Sequence, residues 1–515
     1  MIAVAARKQD IPLKMVGGNR YGRYPKISDE QTFNLYISDD WMVNYAAYEV
    51  AAGINQQSVG RHLFTSSRWG HMLAIIGNAV YGVSPPASNS ETLQTFFIGN
   101  INTFEGDVFI DENIAGQIAI CDGQAIWIYN WQTPSSPPLI AATLPVDQAT
   151  NEPIIPGYIT YQDGYFHTVN KASAGWFLSA PNDGLNWNWG AGSVPVFAYI
   201  QTKPTNAVAV LRAPGRGNLL YLFGTNVTEM WYDVGAQLFP YQRSTSVSID
   251  YGCLSPNTIA AMDTYVAWLG INERSGPVIM ISSGSDITRI STDGIDFKLG
   301  NLKNPARSTG FFFKEDGHLF YQITFHDERD NFSLVYDFNT QMFFSPTDEN
   351  MNYHIAESVA YYNDSYYFVS INDGNIYKFS SDLFTYNYTL PGSNVIKEYE
   401  VPRVRVCAPV RMANSASFVV NNLSFTMEQG NDPKFIGYNP NLTVEPYVPR
   451  VDISMSKDGA NSFSSYFSKD LNPQGKRKNR VAFWQLGFAN DVTYQFRFWS
   501  KYRLAVGDGV IEAYQ

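Results

Sequence analysis

The sequence predicts an all-β protein: a β-propeller of six or seven blades, followed by a C-terminal β-sandwich-like domain. Three observations predict it. Helical periodicity is nearly absent, while Asp-Gly occurs eight times, beginning at Asp122, Asp163, Asp183, Asp293, Asp316, Asp373, Asp458 and Asp508. Between alternating apolar runs this dipeptide marks a hairpin, because a two-residue type I′ turn needs positive φ at both central positions. Seven units of a turn followed by an aromatic strand recur at a nearly constant interval, and 33 Tyr, 33 Phe and 11 Trp in 515 residues favour strands over helices.

Along the chain, residues 1–60 read as a strand-and-loop segment that joins the propeller and helps close its ring. Residues 61–390 hold the repeat. Its units are Asn78 before AVYGVS, Asp122 before GQAIWIYN, Asp163 before GYFHTVN and Asn218 before LLYLFG, then Asp263 before TYVAWLG, Asp316 before GHLFYQI and Asp364 before SYYFVSI. The separations are 44, 41, 55, 45, 53 and 48 residues, close to the ~40–50 residues of a four-stranded blade. Ordinary hairpins in a large sandwich are the competing reading, and the regular spacing favours the propeller. Thr385 to Asn394 (TYNYTLPGSN) has the Pro/Gly/Asn content of a linker. Residues 391–515 then alternate as strands in VPRVRVCAPV, ASFVVNNLSFTME, VDISMSKDGANSF and VAFWQLGFANDVTYQFRFWSKYRLAV, a length suited to a small β-sandwich.

Charge divides the chain in the same place. The net charge of −11 argues against affinity that rests on wrapping nucleic acid. Residues 401–515 carry 14 basic and 9 acidic residues, whereas the first 400 carry 22 and 38, an asymmetry expected of two domains facing different partners. Cys121, Cys253 and Cys407 are too far apart for a disulfide framework or a metal knuckle and read as reduced core residues. The first twenty residues lack the apolar core of a secretory signal, and no apolar run approaches a membrane span. A soluble chain made in a cytoplasm is expected.

The search for chemistry finds no G-x-S-x-G, G-x-G-x-x-G, phosphate-loop or H-E-x-x-H motif. His62, His71, His167, His318, His326 and His354 never stand at the i, i+4 spacing of helical zinc ligands. His326, Asp327, Glu328 and Asp330 cluster without the Gly that a metal loop uses for its sharp turn, and read as a charged hairpin turn. Two carboxylates converging in a propeller mouth could hydrolyse a glycoside, but no local motif marks such a pair. The sequence therefore calls for no enzyme activity, cofactor or metal. Its one candidate site is the basic run Lys476, Arg477, Lys478 and Arg480. This is either a docking loop for an acidic partner or DNA phosphates, or a solvated loop whose charge guards a strand edge.

Arg23 to Gly53 (RYPKISDEQTFNLYISDDWMVNYAAYEVAAG) resembles the opening of the phage packaged-DNA stabilization family, the tail hub or nozzle proteins of short-tailed phages. Arg274 to Thr292 looks like that family's strand pair about a Gly turn, followed by a helix-like segment from about Asp293. The stretch from DISMSKDGANSF to YRLAVGDGVIE resembles its terminal β-domain. The resemblance implies a non-enzymatic virion protein, assembled in the host cytoplasm into the phage tail. It implies a hexameric ring below portal and adaptor that continues the DNA channel, is plugged by a needle protein and is flanked by spikes or fibres. An acidic lumen would let the duplex slide without sticking. The alternative is a carbohydrate-binding or glycan-hydrolysing propeller.

Overall fold

Turn chemistry sets the architecture. Asp163-Gly164 joins Pro156–Gln162 to Tyr165–Asn170 with φ of 53° and 94°, and Asp316-Gly317 joins Ser308–Glu315 to His318–Phe325 with φ of 48° and 79°. Asn363-Asp364 does the same between Ala356–Tyr362 and Ser365–Ser370. These left-handed pairs match the twist of the strands they connect, so each hairpin folds back in register. The computed structural model describes residues 7–22, 29–55, 57–87, 92–215, 217–237, 239–284, 286–326, 331–389, 395–412, 416–429, 447, 449–471 and 479–515.

Among the described residues, seven antiparallel sheets succeed one another through the propeller. The first runs Gly60–Thr65, Met72–Ile76, Ala79–Ser84, Gln94–Asn100, and the second Phe109–Glu112, Gln117–Cys121, Ile126–Asn130, Leu139–Ala141. The third begins at Pro156–Gln162, the fourth at Ala207–Arg212, and the fifth is built on Tyr265–Ile271 with Gly252–Cys253 and Ala260–Met262 along one edge. The sixth starts at Ser308–Glu315 and the seventh at Ala356–Tyr362. Five of the seven repeat strands read from the sequence lie second in their sheets, while Ala79–Ser84 of the Asn78 unit and Ile126–Asn130 of the Asp122 unit are third. Inner strands neighbour one another around a circle, and Ala356–Tyr362 of the seventh sheet lies against Gly60–Thr65 of the first. Leu63 N donates to Ser358 Oγ across that joint at 3.1 Å. The seventh sheet takes its fourth strand, Ala47–Asn55, from the beginning of the chain, paired antiparallel to Gly374–Ser380. This pairing ties the ring shut. Middle strands such as His318–Phe325 are buried along their whole length, as strands covered on both faces must be.

The sandwich consists of two six-stranded sheets. One orders Leu35–Ser38, Trp41–Asn44, Leu504–Tyr514, Phe418–Gln429 and Asn479–Ala489, with Lys8–Leu13 also on Leu504–Tyr514. The other orders Gln31–Phe33, Arg403–Val406, Asp491–Trp499, Arg450–Ser456 and Phe467–Asp470, with Val410–Arg411 also on Asp491–Trp499. Phe425 of the first meets Phe496 of the second with ring centroids 5.5 Å apart.

The pairing divides residues 1–60 differently from the sequence expectation of a single segment joining the propeller. Lys8–Leu13, Gln31–Phe33 and Trp41–Asn44 pair with C-terminal strands, and only Ala47–Asn55 extends a propeller sheet. Thr385–Thr389, read as linker, is a strand that forms a hairpin with Ile396–Glu400 and meets Ala47–Asn55; residues 390–394 lie outside the described residues. Two Asp-Gly pairs are not turns. Asp293-Gly294 opens the helix Asp293–Gly300, whose N-cap Thr292 accepts from Ile295 N. Asp508-Gly509 lies inside the strand Leu504–Tyr514, where Asp508 Oδ1 accepts from Met15 N at 2.9 Å and Val16 N at 2.8 Å.

Candidate functional site

The propeller axis is the natural place to look first, since the inner strands of successive sheets converge there. Aromatic side chains line it. Phe109 and Tyr158 face each other with centroids 4.1 Å apart, and Tyr361 and Tyr366 pack at 4.9 Å. What remains is a cavity of about 250 Å³ lined by these four rings, Phe311 and Glu357 among others. Asn257 Nδ2 donates to Glu357 Oε1 at 3.2 Å, while His326 Nε2 stands 3.3 Å from Oε2 without a hydrogen bond. Glu357 is the one carboxylate among the described residues that line this cavity; Asp107, whose carboxyl feels the Glu357 charge, belongs to the neighbouring loop 101–108.

At the end of the axis near Arg61, the loop 101–108 is clamped from below. The Arg61 guanidinium, buried, donates to the carbonyls of Gly77 at 3.0 Å, Thr103 at 2.7 Å, Glu105 at 3.0 Å and Gly106 at 2.9 Å. Five donors in a fixed fork suit a cluster of carbonyls that a lysine could not span. Asp107, on the same loop, keeps a solvent-facing edge, yet crowding by the protein, and then the charge of Glu357, push its carboxyl up to about 6. Burial, and then the Arg61 charge, push His62 down to about 4. His167 and His354 are likewise driven down to about 3 by burial. His167 and His354 are fully buried, whereas His62 is half-buried and lines the axial cavity. Among the described residues no group of His, Cys, Asp and Glu is placed to hold a metal ion.

Of the basic run, Lys476, Arg477 and Lys478 lie outside the described residues, as do Asp327, Glu328 and Asp330 of the acidic cluster. Arg480 is placed. It stands second in the edge strand Asn479–Ala489, exposed, with Nη2 donating to Ser424 Oγ at 3.1 Å. The same strand carries a feature that residue-by-residue reading missed. Trp484 is 61% and Phe488 57% exposed, on a sheet face they share with Val419 and Val510. Their even spacing keeps them on one face, although Gln485 at φ of 57° and Gly487 at 87° make the strand irregular between them and turn Leu486 into the core.

The buried arginines of the sandwich are structural. Arg405 pairs with Glu30 and donates to Gly18 O and Thr32 Oγ1, while Arg403 donates to Ser500 O at 2.6 Å and Phe384 O at 2.9 Å. Both stitch the N-terminal strands and the propeller exit to the sandwich. No helix is long and apolar enough among the described residues to cross a membrane.

No curated protein sequence matches the chain. Among solved structures, the computationally designed Ika8 protein is similar with a TM-score of 0.37 at 6% identity, covering 65% of this chain and 100% of its own. The N-terminal domain of Nup159 is similar with a TM-score of 0.40 at 9% identity, covering 68% of this chain and 98% of its own. The family model described as Bacteriophage P22 Gp10, beta-propeller, matches residues 116–382, a span that runs from the second sheet through the seventh. With more than half its length matched, and with the propeller and its N-terminal closing strand in place, this chain belongs to the phage packaged-DNA stabilization, or tail hub, family.

Proposed function

We propose that this chain is one subunit of the tail hub ring, or nozzle, of a short-tailed phage. In this reading it extends the DNA channel below the portal and adaptor, helps hold the packaged genome and conducts it at ejection. The observation that carries the reading is the narrow, aromatic-lined propeller axis in a chain of this family. A duplex whose major groove alone is about 12 Å wide is far larger than the cavity of about 250 Å³ that Phe109, Tyr158, Phe311 and Tyr361 line at this axis. Any duct must therefore lie between copies. That requires a closed ring, with six copies as the expected number and a needle or plug protein, spikes or fibres as its neighbours.

Charge supports the same arrangement. Residues 47–400, which supply the propeller, carry 16 basic and 33 acidic residues. An acidic wall facing the duct would repel phosphates and leave the genome free to slide. The test is electron microscopy of the untagged protein, alone and mixed with the adaptor–portal complex of its phage. A ring seated on the adaptor, with an acidic bore, is expected. A protein that stays monomeric and ignores the adaptor would overturn the reading and turn attention to glycan binding; a neutral or basic bore would overturn the account of the lumen.

A further inference from the structure

Among the described residues, Asn479–Ala489 ends its sheet with no strand on its outer side, although Lys469 Nζ donates to Ala482 O at 2.9 Å, and it carries exposed large apolar side chains. Register places Phe488 opposite Val419 and Val419 opposite Tyr514, while Trp484 stands opposite Asn422. Trp484, Phe488, Val419 and Val510 are each 46% exposed or more. Nearer the propeller, the same face carries Arg480, opposite Thr426. Two exposed aromatics flanked by Arg480, with Glu512 further across the same face, give the mixed apolar and charged composition of a protein–protein contact.

The occupant follows from the charge of the chain itself. Once the N-terminal strands are counted with the sandwich they belong to, residues 1–46 and 401–515 carry 20 basic and 14 acidic residues, a net of +6, against −17 for residues 47–400. The propeller also has an exposed aromatic beside an acid: Phe104 is 69% exposed and Glu105 follows it, on the loop between the first and second sheets that Arg61 holds rigid. Each chain thus offers exposed aromatics on two unlike domains, one of net charge +6 and the other of −17. A contact between unlike surfaces is heterologous, and heterologous contacts repeat head to tail until a ring closes.

We propose that the sandwich face bearing Trp484 and Phe488 seats on the propeller of a second copy of this chain, at the loop bearing Phe104 and Glu105. This rests on the ring reading above and assigns its surfaces. The test pairs Trp484→Cys with Phe104→Cys and adds a short bismaleimide to the assembled protein; the native thiols are all buried and do not compete. A ladder of cross-linked copies in the double variant, absent from either single variant, is expected. Trp484→Ser with Phe488→Ser should weaken assembly at least tenfold, read by mass photometry, with the monomer's melting temperature unchanged. Rings that form normally in the serine variant, or a double cysteine variant that cross-links no more than the singles, would overturn the assigned surfaces while leaving the ring intact. Wild-type protein that forms no ring, alone or on its adaptor, would overturn both.

Discussion

Asn34 and Thr347 hold each other reciprocally: Asn34 Nδ2 donates to Thr347 Oγ1 at 2.7 Å, and Thr347 N donates to Asn34 Oδ1 at 2.8 Å. The same amide also donates to Pro402 O at 2.9 Å and accepts from Tyr386 Oη at 3.2 Å. One buried side chain therefore joins an N-terminal strand, the sixth sheet's exit and the entry to the sandwich. Asn34 sits at φ of 55°, a conformation that asparagine tolerates better than most residues.

Removing that amide should loosen both units together. Asn34→Ala strands buried donors and acceptors on three segments and adds a strained backbone, so a loss of about 3 kcal/mol is expected, the upper end for buried groups left unpaired. Asn34→Gly should recover the backbone part only, roughly 1 kcal/mol. Urea midpoints of the three proteins check this. Equal midpoints for wild type and Asn34→Ala would show that the junction does not depend on the amide.

Acid should destabilise the propeller well before carboxylates elsewhere protonate. His62, His167 and His354 have folded values pushed down to about 4, 3 and 3, against about 6.5 when unfolded. Between those limits the unfolded chain binds more protons than the folded one. Their contribution is thus full above pH 6.5 and lost as pH falls toward 4, by up to about 1.4 kcal/mol per pH unit per histidine. Asp107, raised to about 6, works in the opposite sense and offsets part of one histidine's share. Melting temperatures from pH 7.5 to 4.5 should fall, and His167→Gln should flatten the slope. A flat profile in the wild type would contradict the burial argument.

The propeller was legible in the sequence because its information is local. A left-handed dipeptide such as Asp163-Gly164 and the alternation that follows it sit within ten residues of each other. The sandwich was legible only in its C-terminal half. Lys8 pairs with Tyr514, and Thr32 with Arg405; no periodicity in either partner announces a neighbour several hundred residues away. Arg405 illustrates the difficulty. It stands in the alternating run VPRVRVCAPV at a position fully buried in the fold, and only the arrival of Glu30 and Thr32 from the other end of the chain makes that burial tolerable. The basic run stands just before the strand Asn479–Ala489, whose exposed Trp484 no sequence motif marked.

The three thiols should be silent in the native protein. Cys121, Cys253 and Cys407 are buried, and burial pushes the thiols of Cys121 up to about 12 and Cys407 up to about 11, with Cys253 raised as well. Thiolate, not thiol, is the reacting form. A chromogenic disulfide reagent at pH 8 should therefore report no reactive thiol until urea unfolds the chain, and three afterwards. Rapid labelling of the native protein would show that one of these segments opens.

Two glycines from the same dipeptide should respond to alanine for different reasons. Gly317 sits at φ of 79° in a hairpin turn with open space where a Cβ would go. Gly317→Ala therefore meets only backbone strain, about 1 kcal/mol. Gly294 opens a helix without a left-handed φ, but a Cβ there would stand 1.8 Å from the carbonyl oxygen of Tyr21. That carbonyl belongs to backbone and cannot rotate away as a side-chain tip would, so the N-terminal segment must shift, and a cost of about 3 kcal/mol is expected, the upper range for overpacking. The ordering, Gly294→Ala worse than Gly317→Ala, reverses what the Asp-Gly motif alone would suggest, because the motif equates two sites that share a sequence and differ in what surrounds them. Urea midpoints of the two variants decide it; the opposite ordering would mean that Tyr21 does not press on the helix start in solution.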